Sequence, residues 1–416
     1  MRDRALHAIL EAFTADAAGQ LAAETAGGAE IPFEVIETEG RPGRVPLYCY
    51  QSLTGEFIDE RLGLLSALPT YAPAARMLAR LERVGAYLSQ RGERRVPGDP
   101  RARADAALRS FLRGVFAERS QFGFDPVRFE LGYAELERAL YDGQSLTSVI
   151  APLLGIALDH STSEVALGEG LSLVRGDTVT DAPADAVWGD GGEPHVLAML
   201  TVTQDPSQQP PVSLARARFR RVLTALRLFE RGGYALGPLA WTRTDTGPWR
   251  PVSFGGSGRP RLLTLIGAQQ EDELRAFCNL VARRVPSGGE LVWALARFEL
   301  GCERLAPFEA LTDYLLALRA LLEPEGPASG RLAQRLAVIC AKPDDRPALA
   351  ERIARAVSLE RSVITGLAPA EVGADALVEE VREHLRAILR DVLCGHLDHD
   401  LVAVADELLA ATVTAN

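Results

Sequence analysis

The sequence predicts a mainly α-helical protein of two domains: a mostly helical α+β domain over residues 1–205 and a helical bundle over 212–416. Apolar residues recur at the helical period through most of the chain, which favours helices over strands. Residues 204–211, QDPSQQPP, have a turn composition without core residues and are therefore the candidate linker. The length of 416 residues fits two or three domains of about 150 residues each.

Composition excludes several classes of protein. Hydrophobic residues make up 47% and charged residues 24%, enough apolar surface for a packed core, which excludes a largely disordered chain. No run of about 18 apolar residues occurs and no signal segment opens the chain, so we expect a cytoplasmic protein without membrane contact. The net charge of −11 argues against a non-specific DNA-coating protein.

The five cysteines are dispersed and form no Cys-x-x-Cys pair, so reduced thiols are expected and a structural zinc is not. We expect no metal and no cofactor. One segment, Cys394 to Asp400 (CGHLDHD), is dense in potential ligands. Because four convergent ligands are not evident, we interpret it as a polar turn in which Asp398 or Asp400 caps the last helix.

The N-terminal domain is predicted to contain minor β-structure between helices. Alternating residues indicate a strand near 31–36, and apolar runs indicate helices at about 72–91, 101–120, 126–141 and 144–158. The middle of the chain changes character, because β-formers and glycines fill 165–203. A further β-hairpin or loop is expected near 235–266.

The bundle is predicted to begin with an amphipathic helix from residue 212. Its apolar face consists of Phe219, Val222, Leu223, Leu226 and Phe229. Its other face is basic, and the candidate nucleic-acid-binding residues on it are Arg216, Arg220, Arg221 and Arg227, with Arg218 beside them. The alternative is a solvated face whose arginines pair with the protein's own carboxylates. Seven further helices are expected at about 271–284, 289–304, 307–323, 328–341, 346–364, 374–394 and 400–412.

The block from Trp293 to Gly366 carries a family resemblance. It contains WALARFELGCER, ALTDYLLALRALLEP, SGRLAQRLAVICA and RPALAERIARAVSLERSVITG. This succession resembles the ApeA-like branch of the HEPN superfamily, and the resemblance covers about 212–416. It implies a helical bundle that forms homodimers, and in many members a metal-independent ribonuclease of antiviral or toxin systems. The implied catalytic pair is an arginine followed, after four to six residues, by a histidine that transfers protons while the arginine stabilises the phosphate.

The sequence departs from this pattern at two points. Arg361 and Ser362 match the start of the motif, but Gly366, Leu367 and Ala368 occupy the positions expected for the histidine. In the family a glycine follows the histidine, and if Gly366 is aligned with that glycine, Thr365 stands in place of the histidine. The second departure is Arg319, where the resemblance leads one to expect glutamate. We therefore expect a degenerate site made of Arg361, Ser362 and Thr365.

Two functions remain open at this point. The first is a catalytically degenerate HEPN-type protein that binds RNA or protein as a scaffold, in a prokaryotic defence or stress system. The alternative is an active metal-independent endoribonuclease that uses Arg361 and a histidine from outside the motif, such as His384. A homodimer meeting near the Arg361 helix is also expected, because Ile353, Val357, Leu359, Val363 and Ile364 exceed what one buried face needs.

Overall fold

The computed structural model describes residues 2–38, 47–93, 95–117, 119–189, 191–205, 208–256, 260, 263–285, 288–365 and 374–414. Helices hold 60% of the chain, which confirms the mainly α class with a smaller amount of antiparallel sheet. None of the described helices combines the length and apolar character that crossing a bilayer requires. The chain divides into two compact units. The first contains 1–148, 201–210 and 243–248, and the second contains 149–200, 211–242 and 249–416.

The first unit is built mainly of helices. They are α1 (Arg4–Ala26), α2 (Thr54–Glu60), α3 (Leu62–Ser66), α4 (Tyr71–Ala79), α5 (Val84–Gln90), α6 (Pro100–Val115) and α7 (Pro126–Glu137). A π-helical turn over Arg138–Asp142 follows α7. Strands β1 (Phe33–Thr38) and β2 (Leu47–Ser52) pair antiparallel.

Aspartate–proline pairs set the start of two of these helices. Asp99 accepts a hydrogen bond from the Ala102 amide at 2.9 Å at the start of α6, and Asp125 accepts one from the Val127 amide at 3.0 Å at the start of α7. The proline that follows each aspartate loses nothing at the first helical position, where its missing N–H would have no partner. The helices then bury one aromatic-rich core, which includes Phe13, Phe57, Phe111 and Phe129.

The second unit contains most of a seven-stranded sheet. Its strands are β3 (Ser145–Leu154), β5 (Glu164–Gly168), β6 (Leu171–Arg175), β7 (Val196–Gln204), β8 (Ala235–Leu236), β9 (Leu239–Thr244) and β10 (Arg250–Ser253). The order is β10-β9-β3-β7-β6-β5, with β8 paired to β3. Strands β4 (Ile156–Leu158) and β11 (Thr264–Ile266) form a separate parallel pair, and the short helix α8 covers Ala184–Val187.

The remaining helices form the bundle. They are α9 (Val212–Phe229), α10 (Glu271–Arg284), α11 (Glu290–Glu303), α12 (Pro307–Leu322), α13 (Leu332–Cys340), α14 (Arg346–Ile364), α15 (Ala374–Cys394) and α16 (Leu401–Thr414). These bounds lie within a few residues of the predicted ones, because the apolar period is regular in this half. Helices α11 and α12 pack closely at Gly301, which lies against the Tyr314 ring.

Two sequence-based expectations for the fold need correction. The helix predicted at 144–158 is wrong: this segment forms β3 and β4. The strand is buried on both faces from Val149 to Leu153, and such a continuous apolar run cannot be told from a buried helix by its period. The helix predicted at 72–91 is interrupted and forms α4 and α5.

The division of the chain also differs from the expected single boundary at 205–212. Residues 149–200 belong to the second unit because their strands pair with strands from beyond α9. Leu153 of β3, for example, pairs with Leu236 of β8. Hydrogen bonding within a sheet joins segments that a linker separates in sequence.

Candidate functional site

The motif residues lie in the last turn of α14 and at Thr365, the residue that follows the helix. The Arg361 side chain is exposed and has no ion pair or hydrogen bond with a described residue. The Ser362 hydroxyl donates to the Ser358 carbonyl at 3.4 Å, and the Thr365 hydroxyl donates to the carbonyls of Arg361 and Ser362 at 3.1 and 2.9 Å. Both hydroxyls therefore serve the end of their own helix. The alternative histidine positions 366–368 lie outside the described residues.

The unexpected arginine on α12 contacts the residue that precedes Arg361. Arg319 donates from both terminal nitrogens to Glu360, at 3.1 and 2.6 Å. Glu323, one turn after Arg319, accepts hydrogen bonds from the Ser329 hydroxyl and from the Arg331 amide. The buried Glu360 and Glu323 carboxylates thus flank one guanidinium, and α12, α13 and α14 are joined by this network.

The alternative general base, His384, lies on α15. Its Nε2 atom is 3.7 Å from Glu380, which pairs with Arg352 at 2.9 Å. Arg352 precedes Arg361 by nine positions on α14, so at 1.5 Å per residue it lies about 13 Å from it along the helix axis. Burial lowers the pKa of His384 below its usual value, although the charge of Glu380 opposes this shift. Within one chain, His384 therefore lies at the level of Arg352 and not of Arg361.

The predicted basic residues of α9 divide into two groups. Arg216 donates to the carbonyls of Phe254 and Ser253, at 2.9 and 3.1 Å. Arg227 is 4% exposed, donates to the Tyr234 carbonyl and pairs with Glu303 at 3.5 Å. These two arginines stabilise the chain's own structure.

Arg220 and Arg221 form the second group. Both are exposed, and neither side chain has an ion pair or hydrogen bond with a described residue. They are the predicted residues that stay accessible to a ligand.

Arg221 borders a groove that the sequence did not reveal, which we call the α9–α10 groove. Its first pocket, of about 300 Å³, lies between α9, α10 and the turn that joins β5 to β6. Arg218, Arg221 and Arg283 line it together with Asn279. Burial raises the pKa of the Cys278 thiol in its wall to about 12, so this cysteine stays protonated at neutral pH.

The second pocket of the groove, of about 380 Å³, shares Arg221 and Ala282 with the first. Its walls are mostly apolar and come from α10, the residue that follows it and α11: Val281, Val285, Val292, Leu295 and Ala296. Thr224 and Glu299 add polar atoms, and the Thr224 hydroxyl contacts the Glu299 carboxyl. Burial raises the pKa of Glu299 above its usual value.

The turn connecting β5 and β6 shapes one wall of the first pocket. Gly168, Glu169 and Gly170 all have positive φ, of 100°, 50° and 74°. Glu169 is 83% exposed and pairs with Arg218 at 2.8 Å. The signal in the sequence was the Gly-x-Gly turn, but no local pattern indicates that α10 and α9 meet beside it.

The ligand-dense segment between α15 and α16 forms a turn. Asp400 accepts a hydrogen bond from the Ala403 amide at 3.0 Å, which confirms its predicted role as a helix cap. His399 is largely exposed and lies 2.9 Å from Asp398. Among the described residues, no three His, Cys, Asp or Glu side chains are grouped so that they could hold a metal ion.

Comparison of the chain with models of protein families, with curated proteins and with solved structures finds no match.

Proposed function

We propose that this chain is a catalytically inactive protein of the HEPN type that binds RNA. The observation that carries the proposal is the use of the motif hydroxyls. Thr365, which stands in place of the histidine in one of the two alignments, donates to two carbonyls of the preceding helix. A threonine hydroxyl does not exchange protons near neutral pH as an imidazole does. The resemblance would place this RNA-binding role in a prokaryotic defence or stress system.

RNA is the favoured partner because accessible guanidiniums remain on α9. Arg220 and Arg221 are exposed and form no ion pair with a described carboxylate, although the charge of Arg220 acts on Glu299 and the chain as a whole carries −11. Guanidinium groups bind phosphate oxygens through two hydrogen bonds at once, which suits a nucleic-acid backbone.

The experiment for catalysis is a cleavage assay on mixed RNA in the presence of a metal chelator. We expect no cleavage by the wild type or by Arg361→Ala. Cleavage that Arg361→Ala abolishes would contradict the inactive assignment and support the alternative, a metal-independent endoribonuclease using Arg361. In that event His384→Ala would report whether this histidine is the base.

The experiment for binding uses fluorescence anisotropy with single-stranded RNA. The double variant Arg220→Gln/Arg221→Gln is compared with Arg250→Gln/Arg355→Gln, which removes two exposed arginines that also lack described partners. We expect only Arg220→Gln/Arg221→Gln to bind RNA more weakly. The slope of the logarithm of its binding constant against the logarithm of salt concentration should be smaller by about 0.7 for each lost phosphate contact. If the wild type binds no RNA, the proposal fails and a protein partner becomes the better explanation.

The proposal includes a homodimer through α14. The helix buries Ile353 and Leu359 within the second unit, whereas Ile364, three residues after Arg361, is 69% exposed. An exposed isoleucine beside the motif is a suitable contact for a second copy. Light scattering of the wild type should give twice the single-chain mass of 44.9 kDa. The variant Ile364→Glu should give a mass closer to that of a single chain. A wild-type mass equal to one chain would contradict the dimer.

A further inference from the structure

We propose that the α9–α10 groove holds a single nucleotide, with its phosphate among Arg218, Arg221 and Arg283 and its base and ribose in the adjoining apolar pocket. The ligand class rests on the proposed RNA-binding function, whereas the site itself rests on the geometry of the groove. The same chemistry fits one nucleotide of an RNA strand or a free nucleoside monophosphate.

The first pocket has the charge that a phosphate requires. Three guanidiniums line it against one carboxylate, Glu169, which already pairs with Arg218. Arg283 donates from Nε to the Asn279 carbonyl at 3.1 Å, and its terminal nitrogens have no described partner. Arg221 has none for its whole guanidinium. Two positive charges therefore remain for a ligand with several acceptor oxygens.

The second pocket has the surface that a base and a ribose require. Aliphatic side chains of α10 and α11 form its walls, and apolar walls with a few polar groups are typical of small-molecule sites. Thr224 and Glu299, which contact each other, supply those polar groups. A base edge and the ribose hydroxyls both offer partners for a hydroxyl and a carboxyl.

The two pockets lie side by side, as the phosphate and the nucleoside of one nucleotide require. Arg221 and Ala282 line both, so a ligand with its phosphate at Arg221 has the apolar pocket directly beside it. Each volume, about 300 and 380 Å³, lies at the low end of the range for ligand pockets. Two adjoining pockets of this size have room for one nucleotide, with the phosphate in the first and the base and ribose in the second.

The test is a calorimetric titration of the full-length chain with adenosine monophosphate, uridine monophosphate and inorganic phosphate, beside anisotropy with single-stranded RNA. Arg283→Gln removes charge from the first pocket, and Arg250→Gln is the matched exposed control. Ala296→Phe fills the second pocket from an exposed position on α11, and Ala276→Phe makes the same change at an exposed position on α10 that lines neither pocket.

We expect a nucleoside monophosphate to bind more tightly than inorganic phosphate. Arg283→Gln should weaken its binding about 10-fold to 100-fold, as loss of hydrogen bonds to a charged group does. Ala296→Phe should weaken the nucleotide but leave inorganic phosphate unchanged, and both controls should bind as the wild type does. If the free nucleotide binds and RNA does not, the groove is a mononucleotide site. The proposed RNA-binding function is then wrong, whereas the nucleotide site is supported.

The opposite pattern overturns the inference. If RNA binds and depends on Arg220 and Arg221, but neither Arg283→Gln nor Ala296→Phe changes any affinity, the groove holds no nucleotide and RNA lies on the surface of α9. Binding of all three small ligands with equal affinity, unaffected by Ala296→Phe, would overturn the assignment of the base and ribose.

Discussion

Arg319 and Glu360 form a bidentate ion pair, with nitrogen–oxygen distances of 3.1 and 2.6 Å, between α12 and the motif helix α14. The Glu360 side chain is 3% exposed and that of Arg319 is 16% exposed. The arginine that departs from the HEPN pattern thus compensates a buried carboxylate next to Arg361. Its position indicates a structural role in holding α14 against α12.

The first prediction concerns this pair. Arg319→Met should lower the free energy of unfolding by about 3–5 kcal/mol, because it leaves the buried Glu360 carboxylate without its ion-pair partner. The double variant Arg319→Met/Glu360→Met should lose less than the sum of the two single changes. Urea unfolding followed by far-UV circular dichroism measures both. Arg355→Met, at an exposed position of α14, is the control, and an Arg319→Met variant as stable as that control would refute the role assigned to the pair.

The second prediction concerns the contact between α11 and α12. A methyl group at Gly301 would lie 2.7 Å from Tyr314 Cδ1, and Tyr314 is 1% exposed and cannot move outward freely. Gly301→Ala should therefore destabilise the protein by about 1–2 kcal/mol, although alanine is the better helix former. Gly19→Ala in α1 has open space and should stabilise it by about 0.5–1 kcal/mol. Thermal unfolding of the two variants should show shifts of opposite sign.

The third prediction concerns the pH dependence contributed by Glu299. Burial raises its pKa in the folded protein above the ordinary value of 4.5, so the folded state binds this proton more tightly than the unfolded chain. The associated stability is fully present below pH 4.5 and is lost as the pH rises through the higher folded pKa. Glu299→Gln should consequently gain stability relative to the wild type between pH 4 and pH 8. A difference in the free energy of unfolding between Glu299→Gln and the wild type that stays constant across this range would contradict the raised pKa.

The fourth prediction concerns acid sensitivity where α13 meets α16. Arg335 is 2% exposed and donates to both oxygens of Asp406, at 2.9 and 3.0 Å. These hydrogen bonds hold the pKa of Asp406 below its ordinary value of 3.8. The stabilisation is present above that value and is lost as the pH falls through the lower folded pKa. Between pH 5 and about pH 2.5, the free energy of unfolding should fall less for Asp406→Asn than for the wild type. Equal decreases would exclude a contribution from the lowered pKa of Asp406.

The helices of the second half could be predicted closely from the sequence. The helix from Glu271 to Arg284 was expected at those positions, because acidic residues open it, arginines close it and its buried side chains recur at the helical period. Helices α14 and α15 agree equally well with the expectation. Amphipathic helices carry their burial pattern locally, so nearby residues are sufficient to predict them.

The strand at Ser145–Leu154 could not be separated from a helix by the same reasoning. Its apolar run is buried on both faces, and its partners lie on strands far away in the sequence. The candidate site shows the same limit. Arg221 was predicted from its place on α9, but Arg283 and Ala296 were not, since only the packing of α9, α10 and α11 brings them to one groove.

The sequence by itself determined the helical class, the bounds of the bundle helices and the absence of a histidine at the expected positions after Arg361. The tertiary structure decided which arginines stay accessible. Arg227 and Arg221 lie on the same helix with equal charge, yet Arg227 is buried against Glu303 and Arg221 borders the groove. The reason is physical: periodicity reports the side of a helix on which a residue lies, whereas accessibility depends on neighbouring elements whose positions only long-range packing sets.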